Sequence, residues 1–170
     1  MNDRKEENYK EYYEINEIIY KGTYSTIYKG KDKKLNELRA IKIKDLNIIK
    51  NELLKKYNKS EINEKIKDYI NDLIFEYEKM KECSYNNINS VKYYEYFYNE
   101  NEFIIIMELC DDNLSNILIK NKKGFNPKEI YKIMRQLNFT FKLMSKKNII
   151  HKNLKLENIL IKYNEKKNLL

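Results

Sequence analysis

The stretch IIHKNLKLENILI, residues 149–161, contains the only histidine of the 170-residue chain. An isoleucine pair precedes its polar segment, HKNLKLEN at residues 151–158, and the apolar run ILI follows it. Asn153 stands inside the polar segment as an uncharged amide between lysines. What Asn153 replaces, and what the segment does, depend on the rest of the chain.

The composition is that of one modest globular domain, since 42% of the residues are apolar. The net charge of +8 comes from 34 basic and 26 acidic residues whose signs alternate along most of the chain. This pattern favours a solvated surface over a nucleic-acid-binding tract. Cys83 and Cys110 lie far apart without metal-ligand spacing, which predicts reduced thiols in a cytosolic or nuclear protein.

The first 13 residues, MNDRKEENYKEYY, lack the apolar core of a signal peptide. The longest plain apolar run, FIIIM at 103–107, is far too short to cross a membrane. We therefore expect a soluble protein that is not exported and makes no membrane contact, located in the cytoplasm or the nucleus.

Five β-strands are predicted before residue 110. Residues 12–30 contain two β-branched and aromatic runs joined through Gly22, and residues 38–45 alternate as a third strand. Residues 91–98 and 103–109 form another pair, and the short polar connection between them predicts an antiparallel hairpin.

Two long amphipathic helices are predicted from apolar residues that recur every three or four positions. The first helix has Ser60 placed as its cap. The second has Asn126 as cap, Pro127 in its first turn and Glu129 as a capping-box acid. The apolar positions are Ile62, Ile66, Ile70, Leu73, Tyr77 and Met80 in the first helix, and Ile130, Ile133, Met134, Leu137, Phe141 and Met144 in the second.

Two charged residues occupy unusual places in these elements. Glu76 lies on the apolar stripe of the first helix, where it is either an edge residue that reaches water or a paired, functional glutamate. Lys42 alternates with Ala40 on one face of the third strand, where it is either an ordinary exposed lysine or a functional one. Periodicity alone leaves both alternatives open.

The order of the motifs resembles the protein kinase family: GTYSTIY at 22–28, AIK at 40–42, the helical Glu76, MELC at 107–110 and IIHKNLKLENILI. The resemblance implies an α+β, protein-kinase-like fold. Its small lobe would be a five-stranded antiparallel sheet plus one long helix, ending with a hinge, at about 12–109. The first helices and the catalytic loop of an incomplete larger lobe would follow at about 110–170, so that residues 1–170 form a single incomplete domain.

The family binds ATP with Mg²⁺, so the resemblance also implies a nucleotide site. Gly22 matches the middle glycine of the loop that covers the nucleotide, while Tyr20 and Ser25 replace its first and third glycines. For the ribose, either Asn113 or Asp112 matches. The residues matched to the adenine pocket are Ile27 and Ala40 on one side, Leu160 on the other, Met107 as gatekeeper, and Glu108, Leu109 and Cys110 as hinge.

For phosphoryl transfer, Lys42 matches the lysine that holds the phosphates and Glu76 the acid that pairs with it. Asn153 replaces the aspartate that accepts the proton of the substrate hydroxyl, and an amide cannot act as that base. Lys155 and Asn158 match the residues that steady the transferred phosphate and bind a metal ion. His151 matches a structural histidine with a local backbone bond, and Lys152 replaces an arginine, losing its bidentate fork.

The sequence reaches KYNEKKNLL, residues 162–170, without an Asp-Phe-Gly motif. The resemblance thus implies a missing second metal-binding acid and an apolar helix at 130–144 that a partner or self-association would cover. The segment at 46–64 is longer than the family usually shows. It either extends the helix or forms a surface insertion.

The first hypothesis is a kinase relative with weak ATP binding and impaired or absent phosphorylation of serine or threonine in proteins. The alternative is a pseudokinase-type binding or scaffold module that docks a partner protein without phosphoryl transfer. A third hypothesis, a nucleic-acid-binding protein, requires a concentrated basic face that the sequence does not contain.

Overall fold

The computed structural model describes residues 8–163, so the first seven residues and most of the ending KYNEKKNLL lie outside the described residues. Within that range the chain forms two compact units. The first comprises residues 8–82 and 92–109, and the second comprises residues 83–91 and 110–163. Between residues 8 and 163 no helix combines the length and apolar character needed to cross a membrane.

The first unit is built on one antiparallel sheet, whose strands, numbered along the chain, lie side by side in the order first, second, third, fifth and fourth. The turn between the last two strands is closed by Asn99, whose Oδ1 accepts hydrogen bonds from the backbone N–H groups of Asn101 and Glu102 at 2.8 and 2.9 Å. The predicted five-stranded sheet and its hairpin are confirmed. The strands are β1 Tyr13–Lys21, β2 Ser25–Asp32, β3 Leu38–Asp45, β4 Tyr93–Tyr98 and β5 Glu102–Glu108.

Each face of the sheet carries its own apolar cluster, because side chains alternate between faces along a strand. Phe97 lies at the centre of the first cluster, with the rings of Tyr9, Tyr12 and Tyr13 6.2–6.3 Å from its own. The second cluster joins the sheet to helix α2 (Ile62–Ser84). The first cluster comprises Tyr9, Tyr13, Ile41, Phe97, Ile104 and Ile106, and the second comprises Leu46, Leu73, Tyr77, Tyr96, Phe103 and Ile105.

The segment at 46–64 contains a separate helix, α1 (Leu46–Leu53), which is capped by Asp45 through a 2.8 Å hydrogen bond from the backbone N–H of Asn47. Helix α2 begins at Ile62. Its capping position is therefore residue 61, one place after Ser60, and the cap predicted from Ser60 is wrong. The predicted helix itself is confirmed.

The second unit contains helices α3 (Leu114–Lys120) and α4 (Pro127–Lys146). The predicted cap of α4 is confirmed as a full capping box: Asn126 Oδ1 accepts from the backbone N–H groups of Lys128 and Glu129 at 2.9 and 3.1 Å, and Glu129 returns a bond to the Asn126 N–H at 2.8 Å. Two residues of the predicted apolar stripe, Ile130 and Met134, are exposed. Self-association through this stripe stays a prediction.

Helix α4 is tied to residues 83–91 by a short polar chain. The side chain of Asn87 is buried, and its Nδ2 donates to the Cys83 carbonyl at 3.2 Å and to Thr140 Oγ1 at 3.3 Å. Thr140 Oγ1 donates in turn to the Asn89 carbonyl at 3.1 Å. These bonds satisfy a buried amide and fix the middle of α4 within the second unit.

Two short strands that the sequence did not predict complete this unit. Strand β6 (Asp112–Asn113) pairs with β7 (Leu160–Ile161) in antiparallel register, placing Asn113 opposite Leu160. Backbone N–H groups of Asp111 and Leu114 donate to the Ile161 and Ile159 carbonyls, each at 2.9 Å. The pairing anchors the end of the polar segment against the start of α3.

Candidate functional site

Four strands of the first unit bring candidate residues into one row across the sheet. In the strand register Tyr20 lies opposite Ile27, Ile27 opposite Lys42, and Lys42 opposite Ile105. Residues directly opposite each other share a face of a sheet, and Ile105 belongs to the cluster on the α2 side. Lys42 therefore projects from the same face as Ile27 and towards α2.

A second row of candidate residues lies two residues along the same strands. Ala40 is opposite Met107, and both side chains are buried. The Glu108 N–H donates to the Lys92 carbonyl at 2.8 Å, and the Glu108 carboxylate accepts from the Lys92 N–H at 3.3 Å. Beyond these bonds the chain leaves β5 at Leu109, and the boundary between the two units falls before Cys110.

The turn between β1 and β2 leaves little room for a side chain at position 22. The Gly22 N–H donates to the Ser25 carbonyl at 2.9 Å and closes the turn. A Cβ atom at this position would lie 3.0 Å from Cε1 of Tyr20 and 3.3 Å from the Ser25 carbonyl oxygen, tighter than ordinary contacts. The exposed Tyr20 ring thus lies beside the turn, and the first glycine of the family pattern is replaced by a bulky side chain at that place.

Lys42 and Glu76 line one small cavity, together with Tyr77, Met80, Tyr93 and Ile105. The expected ion pair between them is not formed among the described residues. The Glu76 carboxylate instead lies 4.0 Å from the Lys44 ammonium. Lys44 is two positions along the same strand from Lys42, so both lysines point to the face that α2 covers and compete for the same acid.

Lys44 and Glu76 differ in their exposure to solvent. The Lys44 side chain is 16% exposed and that of Glu76 is 55% exposed. Burial lowers the pKa of Lys44, while the Glu76 carboxylate acts in the opposite direction and the charge of Lys42 adds to the lowering. Glu76 is therefore an edge residue of the apolar stripe, which was one of the two alternatives, and it is also paired, but with Lys44.

The polar segment at 151–158 forms an exposed loop held by local hydrogen bonds. The Asn153 N–H donates to the His151 carbonyl at 2.8 Å and to His151 Nδ1 at 3.3 Å. Lys152, between them, has a φ of 60°, in the left-handed region that few residues other than glycine and asparagine adopt readily. His151 makes the local backbone bond expected of it.

Three candidate side chains of this loop reach solvent. Asn153 and Lys155 are exposed, and the Asn158 Nδ2 donates to the Asn153 carbonyl at 2.8 Å. The Asn158 Oδ1 accepts no hydrogen bond from residues 8–163, and an amide oxygen is a ligand that Mg²⁺ accepts. Asn158 thus fits the metal-binding role that the resemblance gives it.

No cluster of three His, Cys, Asp or Glu residues suited to a metal ion occurs in the described part of the chain. A magnesium ion held by Asn158 would therefore depend on nucleotide phosphates for further ligands, which is common for this ion. The residues present fit a nucleotide-bound Mg²⁺ better than a free-standing site.

Asp112 and Asn113, the two candidates for the ribose, both have their side-chain oxygens occupied. Asp112 accepts from the Lys120 ammonium at 2.7 Å, from Asn116 Nδ2 at 2.9 Å and from the Asn113 N–H at 2.8 Å. Burial acts to raise the pKa of Asp112, but the bonds from Lys120, Asn113 and Asn116 outweigh it and lower the pKa. Asn113 Oδ1 caps α3 by accepting from the Asn116 N–H at 2.9 Å.

The structure identifies one residue that sequence reasoning missed. Lys44 was not considered, although the alternation of AIKIK at 40–44 places it on the same strand face as Lys42. The alternation was therefore a usable signal. Two of the three partners of the Asp112 oxygens, Asn113 and Asn116, are close in sequence, but no pattern in the sequence indicated Lys120 at the far end of α3.

Comparison with known proteins identifies a family for this chain. The model of the protein kinase domain matches residues 13–170. Calcium-dependent protein kinase 5 of Plasmodium falciparum (isolate 3D7) is 36% identical over 81 residues, which are 48% of this chain and 14% of that protein. The probable serine/threonine-protein kinase zyg-1 of Caenorhabditis briggsae is 32% identical over 87 residues, or 51% of this chain and 12% of that protein.

A third relative is the probable serine/threonine-protein kinase dyrk2 of Dictyostelium discoideum, 38% identical over 68 residues, or 39% of this chain and 7% of that protein. The chain thus matches only a small share of the length of these relatives. The family model, in contrast, covers nearly all of the chain, and the five-stranded sheet with α2 is consistent with the amino-terminal lobe of a kinase fold. The chain belongs to the protein kinase domain family.

Proposed function

We propose that this kinase domain binds ATP with Mg²⁺ weakly and that its transfer of phosphate to serine or threonine of proteins is impaired or absent. The observation that carries the proposal is Asn153, an exposed amide at the place where the family has its carboxylate base. The names of two relatives, both probable serine/threonine-protein kinases, support the class of acceptor.

Nucleotide binding is supported by the two rows on the sheet. Ile27 and Ala40 lie on the strands that flank and carry Lys42, and the Lys42 ammonium makes no hydrogen bond or ion pair within residues 8–163. A cation on a partly buried strand face attracts phosphate more strongly than one in bulk water. The bulk of Tyr20 beside Gly22, and the Gly22 N–H already bonded to Ser25, are the reasons to expect weak affinity.

Impaired transfer follows from the chemistry of the amide. A carboxylate accepts a proton from the attacking hydroxyl and orients it, whereas a carboxamide has no basic oxygen of comparable strength. General-base catalysis contributes roughly 10²- to 10⁴-fold to rate. Lys155 and Asn158 would still position and neutralise the phosphate, so a slow residual reaction is compatible with this loop.

The second candidate is a binding or scaffold module that does not transfer phosphate. It is favoured by the pairing of Glu76 with Lys44, which leaves Lys42 without the acid that the family uses to hold it. Such a module would act on a partner protein in the cytoplasm or nucleus, and the exposed Ile130 and Met134 of α4 offer apolar surface for a partner or a second copy. It would bind neither nucleic acid nor membrane.

The test is an ATP titration with Mg²⁺ beside a labelled-phosphate transfer assay on a generic serine/threonine substrate. The native chain is compared with Lys42→Ala, Asn153→Asp and the control Asn138→Asp, which changes an exposed amide on α4. We expect weak binding that Lys42→Ala abolishes, and transfer that only Asn153→Asp raises, by about ten-fold or more.

Two results would contradict the proposal. Native transfer at the rate of Asn153→Asp, lost in Lys42→Ala, would show that the amide does not limit the reaction. Absence of ATP binding in the native chain would favour the scaffold module.

A further inference from the structure

Two lysines of β3 compete for one acid of α2. Lys42 and Lys44 lie opposite Ile105 and Phe103, both members of the cluster on the α2 side of the sheet. Glu76 approaches the same face with its carboxylate 4.0 Å from the Lys44 ammonium. Among the ion pairs of residues 8–163, Glu76 therefore pairs with the second lysine and not with the first.

Burial explains why Lys44 retains the acid. Its side chain is 16% exposed, and a buried ammonium without a carboxylate is unfavourable because water no longer solvates the charge. If Glu76 moved to Lys42, Lys44 would keep its charge in the same apolar surroundings with no acid beside it. Lys42, which is less buried than a fully desolvated ammonium would be, gains less from the acid than Lys44 loses, so the acid stays with Lys44.

We infer that Lys44 is a positioning residue that holds Glu76 away from Lys42, so that the Lys42–Glu76 pair forms only when Lys44 releases the acid. This inference rests on the proposed role of Lys42 towards phosphate. Without its acid, the flexible Lys42 side chain is not fixed in one rotamer. Nucleotide binding must then order this side chain, and the lost conformational entropy weakens the affinity. Lys44 thus weakens nucleotide binding independently of Asn153.

The first experiment needs no nucleotide. Denaturant unfolding of Lys44→Met, Glu76→Gln and the double variant gives the coupling of this pair, and a second cycle does the same for Lys42→Met and Glu76→Gln. We expect a coupling of about two- to five-fold in the unfolding equilibrium constant for Lys44 and Glu76, and none for Lys42 and Glu76. Lys67→Met, on the exposed side of α2, is the control and should show no coupling to Glu76.

The same measurement tests the competition directly. In the Lys44→Met background, Glu76 is free to meet Lys42, so the Lys42–Glu76 coupling should appear there. Coupling of Glu76 to Lys42 in the native background, or none in the Lys44→Met background, would overturn the inference.

The second experiment measures ATP affinity. Lys44→Met should bind ATP several-fold more tightly than the native chain, Lys44→Arg should bind like the native chain, and Lys44→Met/Glu76→Gln should lose the gain. Equal affinity of the native chain and Lys44→Met would overturn the inference. If no variant binds ATP, the proposed function fails, and the unfolding cycles alone decide whether Lys44 holds Glu76.

Discussion

Lys42 in the first unit and Asn153 in the second lie in different surroundings. Lys42 lies on β3, which pairs with β2 on one side and β5 on the other. Its side chain is on the sheet face that carries the second apolar cluster, which includes the fully buried Phe103. Asn153 lies in an exposed loop that is held by a few local hydrogen bonds. The position of Lys42 therefore depends on packing and that of Asn153 on loop conformation, so the two regions should respond differently to substitution.

The largest expected effect comes from the core of the first unit. Phe97→Ala removes a ring with no solvent exposure that contacts three tyrosines, and should lower the free energy of unfolding by about 3–5 kcal/mol. Leu154→Ala in the loop removes a side chain that is 55% exposed and should cost about 0.5 kcal/mol or less. Denaturant unfolding checks both, and similar costs would erase the contrast between the regions.

Replacing Gly30 in β2 should cause the second-largest loss of stability. A Cβ atom on Gly30 would clash with the Ile41 side chain and lie 2.5 Å from the Glu14 carbonyl oxygen, which is backbone and cannot rotate away. Gly30→Ala should therefore cost about 1–3 kcal/mol of stability. Gly124→Asn is the contrasting change, because Gly124 has φ +71°, has open space around it, and Asn tolerates that conformation. Equal losses in thermal unfolding would contradict this explanation.

Alkaline pH should also act on the first unit. Burial, and then the hydrogen bond to Glu95, raise the pKa of Tyr13 well above its usual 10, and burial raises that of Tyr9 to about 12. The folded state thus keeps protons that the unfolded state loses, so this stability is present below pH 10 and declines as pH rises further. Tyr13→Phe should reduce that decline by about 1.4 kcal/mol per pH unit at most.

The measurement is denaturant unfolding between pH 9 and 11. Tyr85→Phe, which removes an exposed hydroxyl in the second unit, is the matched control and should keep the native slope. An unchanged slope in Tyr13→Phe would show that other groups cause the alkaline loss.

The smallest effect concerns α4 in the second unit. Asn126→Ala removes two capping hydrogen bonds and should cost about 1 kcal/mol. Asn138→Ala, an exposed change within the same helix, should be neutral or slightly stabilising. Circular dichroism during thermal unfolding measures both, and a neutral Asn126→Ala would mean that tertiary contacts such as Thr140 with Asn87 hold the helix without its cap.

Some features of the fold could be predicted because their causes are local. The alternation in Leu38–Asp45 requires a strand, and Asn126, Pro127 and Glu129 specify a helix start through bonds within four residues. The cap predicted at Ser60 lies one residue before the position preceding Ile62, because the polar run at residues 58–61 offers several residues that could cap a helix. The two-residue strands β6 and β7 were not predictable, since so short a segment has no periodicity.

The sequence by itself determined which residues stand on which face of a strand or helix, and that Asn153 is an amide. Those properties follow from backbone geometry and covalent structure. Only the tertiary structure decided that Glu76 meets Lys44 and that Asp112 is satisfied by Lys120. Glu76 and Lys44 lie on a helix and a strand remote in sequence, while Asp112 and Lys120 lie at opposite ends of α3. In both cases the contact depends on a distance of a few ångströms that residue spacing along the chain does not fix.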